Sequence, residues 1–291
     1  MDQPHFKHVS KYEINQTLSL VGYSVAGHET AFYIKELGVM LDCGVVTKLT
    51  PEFIFLTHGH MDHSGQIHKI LADIECTPLI IVPKKIEDDV VNAITGMFKL
   101  SNRNPKLKVH DRYKLIGVHS NSEVILNIRK RYWKIDIIHC FHSVPTNGFG
   151  FTELRNKLKS EYKELSGSEI AKLKKEGIEV TNTVEYSHFC FLGDTDKRVL
   201  ENEVLLKFPL IMIECTFLYP EHKKEAAKTK HMHWIYLEPF IRLHPEIRFI
   251  LFHFSARYTP YAKKDNLVKE FFNIYTDRSS LEYIPNLYLW I

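Results

Sequence analysis

The sequence predicts a layered α/β fold in a single domain, residues 1–291, and three observations predict it. The chain of 291 residues is long enough to bury one large core. Short runs rich in Ile, Phe and Val recur along it, the signature of buried strands. Between several of them lie stripes at helical spacing, and strands alternating with helices build sheets with helices laid on their faces. A hydrophobic content of 44% with 25% charged residues is ordinary for a globular protein, so a disordered chain is not expected.

Taken in order, each apolar run breaks off at a potential ligand or acid. "EFIFL" runs into Thr57 and His58, and a helical stripe of Ile67, Ile70, Leu71 and Ile74 follows. "KIDIIHCF" runs into His142, "HFCFLG" into Asp194, "PLIMI" into Glu214 and "RFILF" into His253. A weaker stripe, Trp234, Leu237, Ile241 and Leu243, lies between the last two, and the apolar "YIPNLYLWI" closes a sheet. Sheet ends are where loops gather side chains while strands hold them rigid, so the pattern predicts one composite site drawn from the whole chain.

The densest segment is "THGHMDHSG", residues 57–65. If the strand continues to His60, His58 and His60 face the same side. Asp62 and His63 then point back from the turn into the next helix, and Gly65 lets that helix approach the site. His58, His60, Asp62 and His63 are all suited to zinc or a similar divalent ion. One segment cannot close two metal sites, so further ligands must come from the strand ends, which offer His142, Asp194 and His253. A carboxylate such as Asp194 can bridge two ions about 3.5–4 Å apart, a spacing that lets a metal pair activate water and stabilise a leaving oxygen. The 17 histidines of the chain point the same way.

Other classes are disfavoured. Five scattered cysteines with no C-x-x-C pair suggest a reducing compartment and buried packing rather than disulfides or a thiolate zinc site. "MDQPHFKHVSKYE" lacks a basic start followed by an apolar run, so no secretory signal is expected there, and runs such as "PLIIV" are too short to cross a bilayer. Cytoplasm is the expected location, with nucleus or organelle left open. A formal charge of +3 does not by itself call for nucleic acid.

These residues carry a resemblance. "HGHMDH" resembles the H-x-H-x-D-H signature of the metallo-β-lactamase superfamily, and His142, Asp194 in "GDT" and His253 match its later motifs in order. "HFSARY", "ECTF" and "KHMH" resemble the tRNase Z family, endoribonucleases that trim precursor-tRNA 3′ trailers. "AGHET" and "KLKSEYKELSGSEIAKLKKEGIEVT" are similar to its short plant-type branch. The resemblance covers roughly residues 14–260 and implies a four-layer αβ/βα sandwich holding two Zn2+, with Mn2+ or Fe2+ as alternatives the His/Asp set also accepts. It implies that His58, His60 and His142 hold one ion, that Asp62, His63 and His253 hold the other, and that Asp194 bridges them. Asp62 would also be the general base, and Glu214 with His231 a relay that donates a proton to the leaving oxygen. The family usually has threonine two residues after the relay histidine; His233 stands there, so His231 and His233 both remain candidates, with motif order favouring His231. A Pro-Lys-Arg loop and a Gly-Pro-rich arm, found in many bacterial members, are missing, which bears on substrate choice rather than chemistry.

The segment 151–182 occupies the place of the family's substrate arm. Its Lys157, Lys159, Lys163, Lys172, Lys174 and Lys175, with Arg257 further on, are the candidate RNA contacts, since phosphate contacts supply most non-specific affinity. Interspersed Glu153, Glu161, Glu164, Glu169 and Glu176 also fit a plain solvated face. A second basic zone, Lys99 to Lys114 with Arg103, Lys106, Lys108 and Arg112, reads as solvated surface. The expected partner is precursor tRNA, with a homodimer implied by the resemblance and no membrane. A competing reading keeps the metals but hydrolyses a small ester, thioester or cyclic phosphodiester under a lid formed by residues 155–175. A catalytically silent binding module is disfavoured because no ligand is missing.

Overall fold

The apolar runs form two seven-stranded sheets among the residues that the computed structural model describes, 10–73, 76–101, 109–259 and 266–291. The first holds β1 (Ser10–Asn15), β2 (Leu18–Val25), β3 (Glu29–Ile34), β4 (Val39–Leu41), β5 (Phe53–Phe55), β6 (Leu79–Pro83) and β7 (Lys114–Val118) in that spatial order. The second holds β8 (Ser122–Ile128), β9 (Arg131–Cys140), β10 (Thr146–Leu158), β11 (Thr181–Phe191), β12 (Leu210–Glu214), β13 (Arg248–Phe252) and β14 (Leu287–Leu289), again in order. Both sheets pair antiparallel through their first four strands and parallel thereafter. The two halves of the chain thus repeat one topology.

Helices cover the outer faces. α1 (Met61–Ser64), α2 (Ile67–Asp73) and α3 (Glu87–Ser101) serve the first sheet. α4 (Gly167–Lys175) stands apart, and α5 (Lys223–Thr229), α6 (Trp234–Leu243) and α7 (Leu267–Thr276) serve the second. Three apolar clusters mark the layers. Phe32, Leu41, Phe55, Phe149, Phe151, Phe189, Phe191 and Phe252 fill the space between the sheets. Ile67, Ile70, Leu71, Val90, Ile94 and Phe98 pack on Met40, Ile54 and Ile80 outside the first sheet. Trp234, Leu237, Ile241, Val268 and Phe272 pack on Ile211, Ile213, Phe249 and Leu251 outside the second. Period-2 alternation explains the sorting: Leu210 and Met212 face inward, Ile211 and Ile213 outward. This is the expected four-layer αβ/βα sandwich.

Details depart from the sequence reading. β5 ends at Phe55, so His58 and His60 lie on a loop rather than on a continued strand. Gly65 caps α1 with ordinary φ of -60°; a Cβ there would press on the Met61 carbonyl, so its smallness serves the helix's own turn and not an approach to the site. Leu243 is 73% exposed and drops out of the α6 stripe, while Ile74, Arg103, Lys106 and Lys108 lie outside the described residues. The C-terminal run does close a sheet: β14 pairs with β13, and Trp290 donates from Nε1 to the Gly22 carbonyl of the other sheet at 3.1 Å.

The segment 151–182 is an extension of one hairpin. β9 accompanies β10 only as far as Leu154, but β10 and β11 stay paired to Leu158 and Thr181, so the ladder leaves the sheet as a two-stranded stalk. α4 sits at its tip, started by a capping box between Ser166 and Glu169, and buries none of its residues. No helix among the described residues is long and apolar enough to cross a membrane.

The inter-sheet layer is close-packed aromatic. Phe252 is fully buried, with its ring 5.2 Å from Phe32 and 5.4 Å from Phe191. Phe252→Ala is expected to cost about 3–5 kcal/mol in chemical denaturation, the range for emptying a tightly packed aromatic position.

Candidate metal centre and proton relay

β5, β9, β11, β12 and β13 all end on the same rim, and the residues just past those ends converge there. His58, His60, His142 and Asp194 present one ligand atom each within 4.8 Å of one another, as do Asp62, His63 and His253. Asp194 faces both groups. Its Oδ2 is 3.7 Å from His58 Nε2 and 3.9 Å from His142 Nε2, and its Oδ1 is 3.4 Å from His63 Nε2 and 3.6 Å from His253 Nε2. All seven expected ligands are therefore brought together.

His58 Nε2 and Asp194 Oδ1 are buried without a hydrogen-bond partner. Ring nitrogens face each other at 3.1 Å between His63 and His253 and at 3.2 Å between His142 and His60. Buried polar atoms are normally satisfied, so orphans aimed at one space fit a cation there.

Four of the five rings are oriented from behind. His63 Nδ1 donates to Asp42 Oδ2 at 2.7 Å, and His142 Nδ1 to the Lys230 carbonyl at 3.0 Å. His58 Nδ1 meets Thr57 Oγ1 at 2.9 Å, whose hydroxyl donates to Asp42. His253 Nδ1 meets Thr216 Oγ1 at 3.1 Å, whose hydroxyl donates to Glu214. These bonds fix the tautomers that leave Nε2 free for a metal, the usual arrangement behind metal-binding histidines. His60 presents Nδ1 instead. Gly27 N–H donates to Asp62 Oδ2 at 2.8 Å, which gives the "AGHET" turn its use. Gly44 must be glycine because a Cβ would lie 1.7 Å from the Asp62 carbonyl oxygen.

Electrostatics suit a cation. Burial pushes the His58, His60 and His142 pKa values down, leaving those rings neutral as ligation requires. Burial alone would raise Asp194 and Asp62, but the imidazoles around them override it and hold both carboxylates below their usual range. Burial works against a charged His63 too, yet Asp194 and Asp42 lift its pKa well above the ordinary value. Negative potential thus concentrates where the ring nitrogens converge.

The two relay candidates separate by their partners. His231 Nδ1 lies 2.8 Å from Glu214 Oε1, and its ring is 4.7 Å from that of His142. Burial lowers its pKa, but the charge and hydrogen bond of Glu214 outweigh this and push it up to about 9. Glu214 is fully buried and also accepts from Thr195 N–H at 2.8 Å. His233 has no such partner. Its Nε2 donates to the Tyr219 carbonyl at 2.9 Å, and its Nδ1 accepts from Ile235 N–H at 3.1 Å as the N-cap of α6. An N-cap is a threonine's ordinary work, so the histidine fills that place by an equivalent hydrogen bond.

The candidate RNA contacts lie elsewhere. Lys157, Lys163, Lys172, Lys174 and Lys175 are exposed and Lys159 half-buried, all on the stalk or its tip. The stalk leaves from the start of β11, whereas Asp194 follows the end of β11, so the two are separated by the length of the strand. At roughly 3.3 Å per residue its 11 residues span about 36 Å, so the segment projects away from the same chain's site and does not cover it as a lid. Arg257 is engaged by Glu225 in a bidentate pair at 2.7 and 3.0 Å. His139 packs on Phe141, and His188, His222 and His244 each have a partner the sequence did not reveal, in Asn15, Tyr258 and Glu246.

Asp42, Thr57, Thr216 and Lys230 were missed. Asp42 carried a signal, since "VML" runs into it as the longer runs run into the ligands, but three residues are too short a run to read as a strand. The others are visible only through their contacts.

Fold and site together define a metallo-β-lactamase-fold protein with a His/Asp donor set for divalent metal. Its structure is similar to the metallo-β-lactamase fold protein YhfI from Bacillus subtilis, with a TM-score of 0.52 and 14% identity over 94% of this chain and 95% of that one. It is also similar to the short form of human tRNase Z, with a TM-score of 0.50 and 18% identity over 81% of this chain and 92% of that one. No protein-family model matches the chain. The chain belongs to the tRNase Z family: it is 30% identical to tRNase Z TRZ1 of Arabidopsis thaliana over 248 residues, 82% of this chain and 85% of that protein. The chloroplastic tRNase Z TRZ2 of the same plant is 27% identical over 259 residues, 84% of this chain and 69% of that protein.

Two outcomes are expected from the supporting groups. Asp42→Asn keeps the shape but removes the charge behind His63, and metal affinity measured by competition with a chromophoric chelator falls about 10–100-fold. His233→Ala removes the α6 cap and lowers stability by about 1 kcal/mol, with His233→Thr restoring it and neither change moving the pH–rate profile.

Proposed function

We propose that this protein is a metal-dependent endoribonuclease that hydrolyses a phosphodiester of precursor tRNA and releases the 3′ trailer. The observation that carries this reading is Asp194, buried with its two oxygens turned to two separate histidine groups, in a chain of the tRNase Z family. His58, His60 and His142 would hold one ion, Asp62, His63 and His253 the other, and Asp194 would bridge them. Two Zn2+ suit this set, and Mn2+ or Fe2+ are accepted by the same donors. When bound, such ions supply Lewis-acid charge that polarises the phosphodiester and makes water nucleophilic near neutral pH.

The chain's own groups handle the protons. Asp62, kept ionised and held by Gly27 N–H, takes the proton of the attacking water. His231, protonated by virtue of Glu214, gives a proton to the departing 3′ oxygen. Glu214 lies behind the ring and acts through it. The exposed lysines of the stalk bind RNA phosphates at a distance from the cut, and two copies form the homodimer implied by family resemblance. Arg257 has its fork occupied, and its part in substrate binding is to brace the site's rim through Glu225. A reducing compartment, the cytosol, fits five free cysteines of which four are buried, although relatives include proteins named chloroplastic and nuclear.

The test is an end-labelled precursor tRNA with a 3′ trailer, incubated with purified protein with and without chelator. Trailer release is expected only with metal, and Asp62→Ala abolishes it. If metal-loaded protein leaves the RNA intact yet cleaves a small phosphodiester, the substrate assignment is wrong. His231→Ala is expected to lower kcat about 10²–10⁴-fold. In Glu214→Gln the charge that raises the His231 pKa is lost. The ring then deprotonates at lower pH, and the alkaline limb of the pH–rate profile moves down from its wild-type position. Light scattering that finds only monomers would remove the homodimer.

A further inference from the structure

Lys230 holds a conformation that its residue type does not favour. It caps the C-terminus of α5 with φ 56° and ψ 49°, the left-handed region where glycine is the usual occupant and a side chain is a steric cost. Both polar ends of this residue go to one other residue. Its carbonyl accepts from His142 Nδ1 at 3.0 Å, and its ammonium donates to the His142 carbonyl at 3.3 Å. His142 needs outside support because the chain between β9 and β10 forms no regular structure there. The residue after Lys230 is His231, which bonds Glu214.

We infer that Lys230 is a positioning residue that grips His142 at ring and backbone, holding the ring so that Nε2 faces the metal centre. The inference rests on the reading that His142 ligates a metal. Glycine would give the left-handed turn at lower cost but could grip only the ring; lysine keeps the turn and adds the backbone grip. Because the same turn delivers His231, one residue sets the spacing between a metal ligand and the proton donor. Any change that releases the turn should therefore disturb both.

The experiment is a Co2+ titration of chelator-stripped protein, read by visible absorption, for the wild type and for Lys230→Gly, Lys230→Ala and Lys230→Ile. 15N NMR of the imidazoles reads the tautomers in parallel, and thermal melts check folding. Lys230→Gly keeps the turn and the grip on the ring but loses the ammonium's bond to the His142 carbonyl, so it is expected to weaken one of the two sites by about threefold, with the Nδ1-protonated form of His142 retained. Lys230→Ile, β-branched and ill-suited to the left-handed region, should weaken one of the two sites by at least about tenfold, with the other site and the melting curve little changed. Lys230→Ala should fall between them and serves if the isoleucine variant does not fold. Wild-type Co2+ affinity at both sites in folded Lys230→Ile or Lys230→Ala overturns the inference. A wild-type protein that binds no Co2+ would instead overturn the metal-site reading itself.

Discussion

Asp194 sets the constraint on which the rest of the structure depends. A carboxylate 1% exposed is costly unless cations and donors surround it. Here the surroundings are imidazoles from four separate places in the chain, at residues 58–63, 142, 231 and 253. They reach it because strands end on one rim and the turn after α5 brings His231 to the same place. The sheets must therefore be stacked in a fixed register, and the aromatic layer of Phe32, Phe149, Phe151, Phe189, Phe191 and Phe252 between them provides that register. Charge at the rim and close packing in the middle are two parts of one requirement.

Three residues around the rim have left-handed backbones without being glycine: Asp42 at φ 57°, Lys230 at φ 56° and His253 at φ 60°. Each gives a side chain or carbonyl to the metal centre or to a ring that faces it. Strained conformations persist where surrounding structure over-determines them, and here that structure is the hydrogen-bond lattice of Asp42, Thr57, Thr216 and Glu214. The same lattice fixes the imidazole tautomers, so the strain is spent on orientation and not on holding the fold together.

Much of this was legible in the sequence for a simple reason. A buried strand advertises itself by composition, and a site residue placed at or just past its end inherits that visibility, as His142, Asp194, Glu214 and His253 do. The groups behind the ligands have no such cue. Thr57 and Thr216 are ordinary threonines until their hydroxyls are seen between an imidazole and a carboxylate, and Lys230 acts through a backbone carbonyl, which no side-chain pattern records. Periodicity failed at Leu243, where the helix had already turned its last residue outward. The shared topology of the two sheets was hidden too, since strand pairing leaves no fixed period when the loops between strands differ in length.

The two-stranded stalk fixes a length scale for recognition. Its lysine-bearing tip and the metal centre lie at opposite ends of β11, whose site end is held in the sheet at Phe189, Cys190 and Phe191. A ligand that touches both must itself span the length of that strand. A dinucleotide is too short to reach both ends, whereas a long folded polyanion spans them.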